Sequence, residues 1–172
     1  MILNNMDLKK IIREIQDYPE KGIIFRDIST ILANPDAFSF TINELGKNIQ
    51  KFNPDYLAAV ESRGFIFASP LSQIFKIPLI LIRKKGKLPP PVIGIDYDLE
   101  YGKDTLEVSS SVIPKSKNIL IVDDIIATGG TVNASIDLIE KTGNKVLGIL
   151  SVIDLKLYKK PFTVPLRSII HY

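Results

Sequence analysis

The stretch ILIVDDIIATGGT, Ile119–Thr131, decides the fold. Its apolar, β-branched start reads as a buried strand. Two adjacent carboxylates follow, Asp123 and Asp124, and the small-residue turn ATGGT leads into TVNASIDLIEKTG, a helix with Gly143 as its C-cap. At the carboxyl end of a parallel strand, a turn into a helix presents free backbone N–H groups and the positive end of the helix dipole, both suited to phosphate. Gly129 and Gly130 remove side chains that would hold a phosphate off the backbone, and Thr128 and Thr131 add hydroxyl donors. The two acids cannot be phosphate ligands. They suit either hydrogen bonds from sugar hydroxyls or a divalent cation held partly through water. The implied ligand has a phosphate and a polyol. On the blander reading, the acids end a strand and the glycines make a turn. Neither GxxxxGK[ST] nor GxGxxG occurs in the chain.

Elsewhere in the chain, DYLAAV (Asp55–Val60), IPLILIR (Ile77–Arg83) and KVLGILSVID (Lys145–Asp154) are further continuous apolar runs of strand length. Helical spacing over Pro35–Phe52 and the apolar GFIFASPLSQIF after Arg63 alternate with them. Strands buried on both faces and separated by helices imply an α/β fold, a central parallel sheet flanked by helices with right-handed crossovers. Leu8, Ile11, Ile12 and Ile15 recur at spacings of three and four and predict a helix over Asp7–Asp17, ended by Pro19. GIIFRDIS, Gly22–Ser29, is a short apolar run containing an Arg-Asp pair. The alternation in YDLEYGKDTLEVS, Tyr97–Ser109, predicts a hairpin open to water on one side and turning at Gly102-Lys103.

The 172 residues are enough for one domain, and no linker marks a second. Zero cysteines exclude a disulfide framework, a zinc ribbon and a thiol nucleophile, and the single His171 excludes a histidine-clustered metal site. The apolar stretch Leu57–Phe67 is broken by Glu61 and Arg63, well short of the ~20 residues of a membrane span. With no signal peptide either, an intracellular protein is expected. Twenty-two basic against 19 acidic residues leave +3, weak evidence for nucleic acid as a partner. The densest basic segment is RKKGK, Arg83–Lys87, a charged loop running into Pro89–Pro91.

The thirteen-residue window resembles the phosphoribosyl pyrophosphate (PRPP) motif of the type I phosphoribosyltransferases. GIIFRDIS, ESRGFIFASPLS (Glu61–Ser72), LIRKKGKLP (Leu81–Pro89) and LEYGKDTLEV (Leu99–Val108) are similar, in the same order, to the adenine-specific members of that family. FRDIS and LEYGK are what point to adenine. The resemblance implies transfer of the 5-phosphoribosyl group from PRPP to adenine, giving AMP and pyrophosphate, with Mg2+ as cofactor, in a cytoplasmic homodimer that needs neither nucleic acid nor membrane. It also implies a single phosphoribosyltransferase domain over residues 1–172. A small hood would be made of residues 1–33 plus the carboxyl-terminal strand, and a flexible flap of residues 84–110.

Family likeness places the 5-phosphate on Ala127, Thr128, Gly129, Gly130 and Thr131, and the ribose, with magnesium nearby, at Asp123 and Asp124. Pyrophosphate falls to Glu61, Ser62, Arg63 and Gly64, with a cis peptide between Glu61 and Ser62, and to Lys84 and Lys87. The Arg63 guanidinium, a planar fork of donors, is also assigned a catalytic role; otherwise Ser62 caps a helix and Arg63 is a surface residue. Arg83, Lys84 and Lys87 would stabilise the departing pyrophosphate, or simply be solvated loop cations. Glu100 is the catalytic candidate for proton transfer at the purine, and Tyr101 would close with it over the substrates; the bland reading of Glu100 is an outward-facing strand residue. Ile24, Phe25 and Arg26 would bind adenine, Phe25 by stacking and its neighbours through backbone groups, though a lone Phe in an apolar segment also suits a core. Asp27 is expected to order this loop. Two rivals share the motif: a phosphoribosyltransferase for xanthine or for hypoxanthine and guanine, and a non-catalytic PRPP sensor that binds nucleic acid.

Overall fold

The structure, a computed structural model, describes residues 6–98 and 102–172. In chain order its elements are a 3-10 turn (Leu8–Lys10), β1 (Arg13–Gln16), β2 (Ile24–Asp27), α1 (Ser29–Leu32), α2 (Pro35–Phe52), β3 (Tyr56–Val60), α3 (Gly64–Phe75), β4 (Leu79–Lys84), β5 (Val92–Asp98), β6 (Lys103–Ser109), β7 (Asn118–Ile126), α4 (Gly130–Lys141), β8 (Lys145–Asp154) and β9 (Leu166–His171). The chain divides into two compact units, Met1–Glu44 and Leu45–Tyr172, with the boundary inside α2.

In the first unit, β1 and β2 form an antiparallel ribbon in which Arg13 faces Asp27 and Ile15 faces Phe25. The helix expected over Asp7–Asp17 is therefore only the turn Leu8–Lys10 followed by a strand. From Arg13 onward the backbone pairs with β2, and charge complementarity holds the ladder. Arg13 Nε and Nη2 donate to Asp27 Oδ2 at 3.1 and 2.6 Å, and Arg26 Nη1 lies 3.0 Å from Glu14 Oε1. Cross-strand pairs of this kind are invisible to periodicity within one segment. Asp27 Oδ1 accepts from Ser29 N at 2.9 Å and so orders the entry to α1. Asn34 caps α2, its Oδ1 accepting from the amides of Asp36 and Ala37, with Pro35 at the first helical position.

The second unit is a seven-stranded sheet in the order β5-β6-β4-β3-β7-β8-β9. The five strands from β4 to β9 in that order are parallel, and β6 and β5 extend the sheet antiparallel. β3 and β7 lie at its centre, and Leu57, Ala58, Ala59, Ile119, Leu120, Ile121 and Val122 are fully buried. Burying a Leu or Ile side chain contributes about 1.5–3 kcal/mol, so the continuous apolar runs are the reason these two strands are central. α4 presents Val132, Ile136, Leu138 and Ile139 to the core and keeps its charges outside. β9 is hydrogen-bonded along β8 as the far edge of this sheet, whereas the amino-terminal ribbon consists of β1 and β2 alone.

The expected hairpin is longer and begins earlier than its alternation indicated. Val92 pairs with Ser109 and Asp98 with Lys103, so Lys103 opens the second strand. The added length is explained by packing: Ile93, Ile95 and Tyr97 lie against the core cluster, and Lys141 Nζ donates to Gly94 O at 2.8 Å.

Candidate active site

The chain runs from β3 through α3 to β4 on one side, and from β7 through α4 to β8 on the other. The crevice between the carboxyl ends of β3 and β7 is thus the switch point of the sheet, where such folds collect ligands. Because Ala59 pairs with Val122, the segments that follow the two strands, 61–64 and 127–131, emerge side by side. A cavity of about 360 Å³ opens there, lined by residues 60–63 and 123–132.

β7 continues through both acids to Ile126, with Asp123 opposite Ser151 of β8. The pair is held rigidly and is almost out of solvent, Asp123 at 8% and Asp124 at 3% exposure. Burial pushes both carboxyls above their usual range. The neighbouring charge of Asp124 raises Asp123 further, while Arg63 pulls Asp124 back. Asp124 N donates to Asp123 Oδ1 at 2.8 Å. Arg63 Nε stands 2.9 Å from Asp124 Oδ2, a buried oxygen that otherwise accepts no hydrogen bond. Two buried acids lining a cavity, one of them paired with a guanidinium, are suited to accept from hydroxyl donors.

Opposite them the chain turns through Gly129, φ +86°, into α4, whose first turn has no side-chain cap. Its unused amides therefore face the cavity with the positive end of the dipole. The left-handed φ at Gly129 is why glycine stands there.

The peptide between Glu61 and Ser62 is cis, as the resemblance implied. Arg63 is the N-cap of α3 and no side chain caps that helix, so Ser62 is not serving as its cap. Gly64 is required by close approach: a Cβ there would lie 2.8 Å from Val122 O and 3.2 Å from both Asp123 Cα and Oδ1. The Glu61 carboxylate turns to β4, accepting from Lys84 N at 2.8 Å and from Arg83 Nη2 at 3.1 Å. Burial, the largest influence, pushes this carboxyl up, but the Lys84 amide and the Arg83 guanidinium together hold it below the usual range. Arg83 also donates from Nη1 to Lys87 O at 2.9 Å. Glu61 and Arg83 thus form the joint that seats the basic loop beside the cavity.

Glu61, Ser62, Arg63, Asp123, Asp124 and Ala127–Thr131 all border the cavity, and Gly64 packs directly behind it. Lys84 and Lys87 do not line it. Lys84 Nζ is held 3.0 Å from Asp104 Oδ2 on β6; Asp104 raises the Lys84 ammonium and is itself lowered. Asp104 had no signal of its own in the sequence beyond its place in the hairpin. Ile24, Phe25 and Arg26 lie on β2 in the first unit. Ile24 is exposed and Phe25 is half-buried with Tyr18 edge-on at 5.3 Å, so Phe25 is not a sealed core residue. Glu100 and Tyr101 fall outside the described residues. No helix among those described is long and apolar enough to cross a membrane.

Comparison with known proteins agrees with this geometry. The family model described as "Phosphoribosyl transferase domain" matches residues 27–162. The adenine phosphoribosyltransferase of Trichodesmium erythraeum (strain IMS101) is 46% identical over 170 residues, 97% of this chain and 100% of that protein. The crystal structure of adenine phosphoribosyltransferase from Thermoanaerobacter pseudethanolicus superposes with a TM-score of 0.90 at 38% identity, covering 95% of this chain and 97% of that one. The Saccharomyces cerevisiae adenine phosphoribosyltransferase, complexed with adenine and an imino-altritol bisphosphate, gives a TM-score of 0.86 at 33% identity over 94% and 95% of the two chains. The switch-point cavity, its acid pair and these full-length likenesses lead to one conclusion: the chain belongs to the phosphoribosyltransferase family and, within it, to the adenine phosphoribosyltransferases.

Proposed function

We propose that the chain transfers the 5-phosphoribosyl group of PRPP to adenine, forming AMP and releasing pyrophosphate. The observation that carries this reading is that an uncapped helix start and two buried acids line one cavity, a lining suited to phosphate and to ribose hydroxyls together. Relatives and solved neighbours named adenine phosphoribosyltransferase support the choice of base.

On this reading Ala127–Thr131 bind the 5-phosphate through backbone amides and the two threonine hydroxyls. Asp123 and Asp124 accept hydrogen bonds from the ribose. Ser62, Arg63 and the backbone of Glu61–Gly64 hold the pyrophosphate, and Lys84 and Lys87 add positive charge as it leaves. Adenine is met by the Phe25 ring and by backbone groups of Ile24 and Arg26. As the ring nitrogen bonds to C1 of the ribose and the C1–oxygen bond breaks, Glu100 takes up the proton that adenine loses, with Tyr101 excluding water.

The donor set fits a hydrated magnesium ion. Asp124 Oδ2 is a buried hard oxygen at the cavity, where its partner is the Arg63 guanidinium, and a magnesium ion keeps most of its water when carboxylates hold it. Asp123 and Asp124 would hold it through water. When bound, it neutralises charge on the leaving pyrophosphate. The homodimer implied by the family resemblance belongs to the same reading, and sedimentation of the free chain tests it.

The decisive experiment is mass-spectrometric detection of AMP from adenine, PRPP and Mg2+. Hypoxanthine, guanine and xanthine serve as rival bases, and the Asp123→Asn/Asp124→Asn double variant as control. AMP formed by the wild type and lost in the folded variant is the expected result. Product from another base alone, or undiminished turnover in the variant, would overturn the reading.

A further inference from the structure

The connection between β8 and β9, residues 155–165, passes directly behind the phosphate cradle. A Cβ placed on Gly129 would lie 2.9 and 3.0 Å from Cε1 and Cζ of Phe162 and 3.3 Å from Cβ of Tyr158. The space a side chain would take at this position is therefore filled by an aromatic pair, with ring centroids 4.7 Å apart and planes tilted by 50°. Both rings pack on the core cluster, and neither borders the cavity. They stand behind the cradle rather than inside it.

The pair is anchored to the same sheet that carries the site. Buried Asp154, at the end of β8, accepts from Lys156 N at 2.9 Å and from Tyr158 Oη at 3.3 Å. Leu155 N donates to the carbonyl of Ile126, the last residue of β7, at 2.9 Å. Tyr158 is thus tied to β8, the connection is tied to β7, and Phe162 rests between Tyr158 and Gly129.

We infer that Phe162, braced by Tyr158, is a positioning residue for the 5-phosphate: it closes the rear of Gly129 and keeps the start of α4 set before the ligand arrives. The inference rests on the reading that this cradle takes the 5-phosphate of PRPP. Two consecutive glycines have the widest conformational range of any dipeptide, and ordering them at the moment of binding would weaken affinity. A wall that orders them beforehand removes that penalty, which is the general benefit of preorganisation. The side chain touches neither substrate nor reacting atoms, so its effect falls on binding and not on the chemical step.

The test uses the full chain with AMP and PRPP as probes. Phe162→Ala is expected to raise the AMP Kd and the PRPP KM by about tenfold, with kcat at saturating PRPP retained. Amide exchange in residues 126–133 of the ligand-free protein should quicken while the body of β7 stays protected. Phe162→Leu, which keeps an apolar bulk behind Gly129, should restore most of the affinity. Unchanged AMP affinity and exchange in Phe162→Ala would overturn the inference alone, as would loss of protection throughout β7 and β8, which would make Phe162 a general packing residue. A wild-type protein that binds neither AMP nor PRPP would overturn both the inference and the functional reading beneath it.

Discussion

Arg63 Nε and Asp124 Oδ2 meet at 2.9 Å across the mouth of the cavity, joining the segment after β3 to the end of β7. The proposed pyrophosphate ligand and the proposed ribose ligand are thus each other's partner in the ligand-free chain. PRPP must compete for both, and the guanidinium fork is the part that Lys cannot imitate. Arg63→Lys should lower kcat/KM for PRPP by about tenfold to a hundredfold, the loss of one to two charge-assisted hydrogen bonds. Steady-state kinetics at fixed adenine checks it; a change below twofold would remove Arg63 from the site.

The acid pair makes a prediction about pH. Burial raises both carboxyls in the folded chain, so the folded state holds protons that the unfolded state releases near pH 4. The contribution to stability is complete below that point and is lost as pH climbs through the raised folded values. Asp123→Asn removes a buried charge and should raise the melting temperature of the ligand-free protein at pH 8 more than at pH 4, while turnover collapses. A melting temperature lowered at pH 8 would contradict the assigned direction.

Asp27 behaves oppositely. Hydrogen bonds from Ser29, and then the Arg13 guanidinium, hold its carboxyl below the usual range despite burial. Its stabilisation is present above about pH 4 and disappears as pH falls through the depressed folded value. Asp27→Ala should cost about 1–3 kcal/mol at neutral pH, and the difference from wild type should shrink in acid. Urea titrations at two pH values measure both.

Gly64→Ala places a methyl group 2.8 Å from Val122 O, against backbone that cannot yield cheaply. Overpacking of this kind costs about 1–3 kcal/mol. Because the displaced atoms include Asp123, turnover should fall further than stability alone explains. A variant with native melting temperature and native turnover would show that α3 and β7 can part without effect.

Lys84 lies 3.0 Å from Asp104 on β6. Lys84→Met removes the cation proposed for pyrophosphate and should raise the PRPP KM about tenfold, whereas Asp104→Asn, which frees the cation, should leave the KM unchanged or lower it. Opposite movement of the two variants is the expected kinetic signature. A rise in KM of equal size in both would mean that the pair acts only as a structural tie.

Ile119–Thr131 was readable because strand, acids, glycines and helix are contiguous, so local pattern and tertiary role coincide. α3 was readable with Pro70 inside it because its apolar run has the length of a helix. The amino terminus was not. Leu8, Ile11, Ile12 and Ile15 fit helical spacing, yet Arg13–Gln16 pairs with residues eight to fourteen positions further on, Arg13 with Asp27 among them. The same limit hid Asp104 behind Lys84 and Phe162 behind Gly129, since each partnership joins segments distant in the chain. Glu61 lines the cavity, but its carboxylate serves Arg83 and Lys84, which only the register of β3 and β4 could bring within reach.

β8 is buried at eight of its ten positions, and β9 is the strip that covers its outer edge. A polypeptide released from the ribosome after Pro165 would hold the whole candidate site and yet present β8's bare amides and carbonyls to any neighbouring copy. Such a truncation product would be expected to aggregate, so β9 protects the molecule from itself.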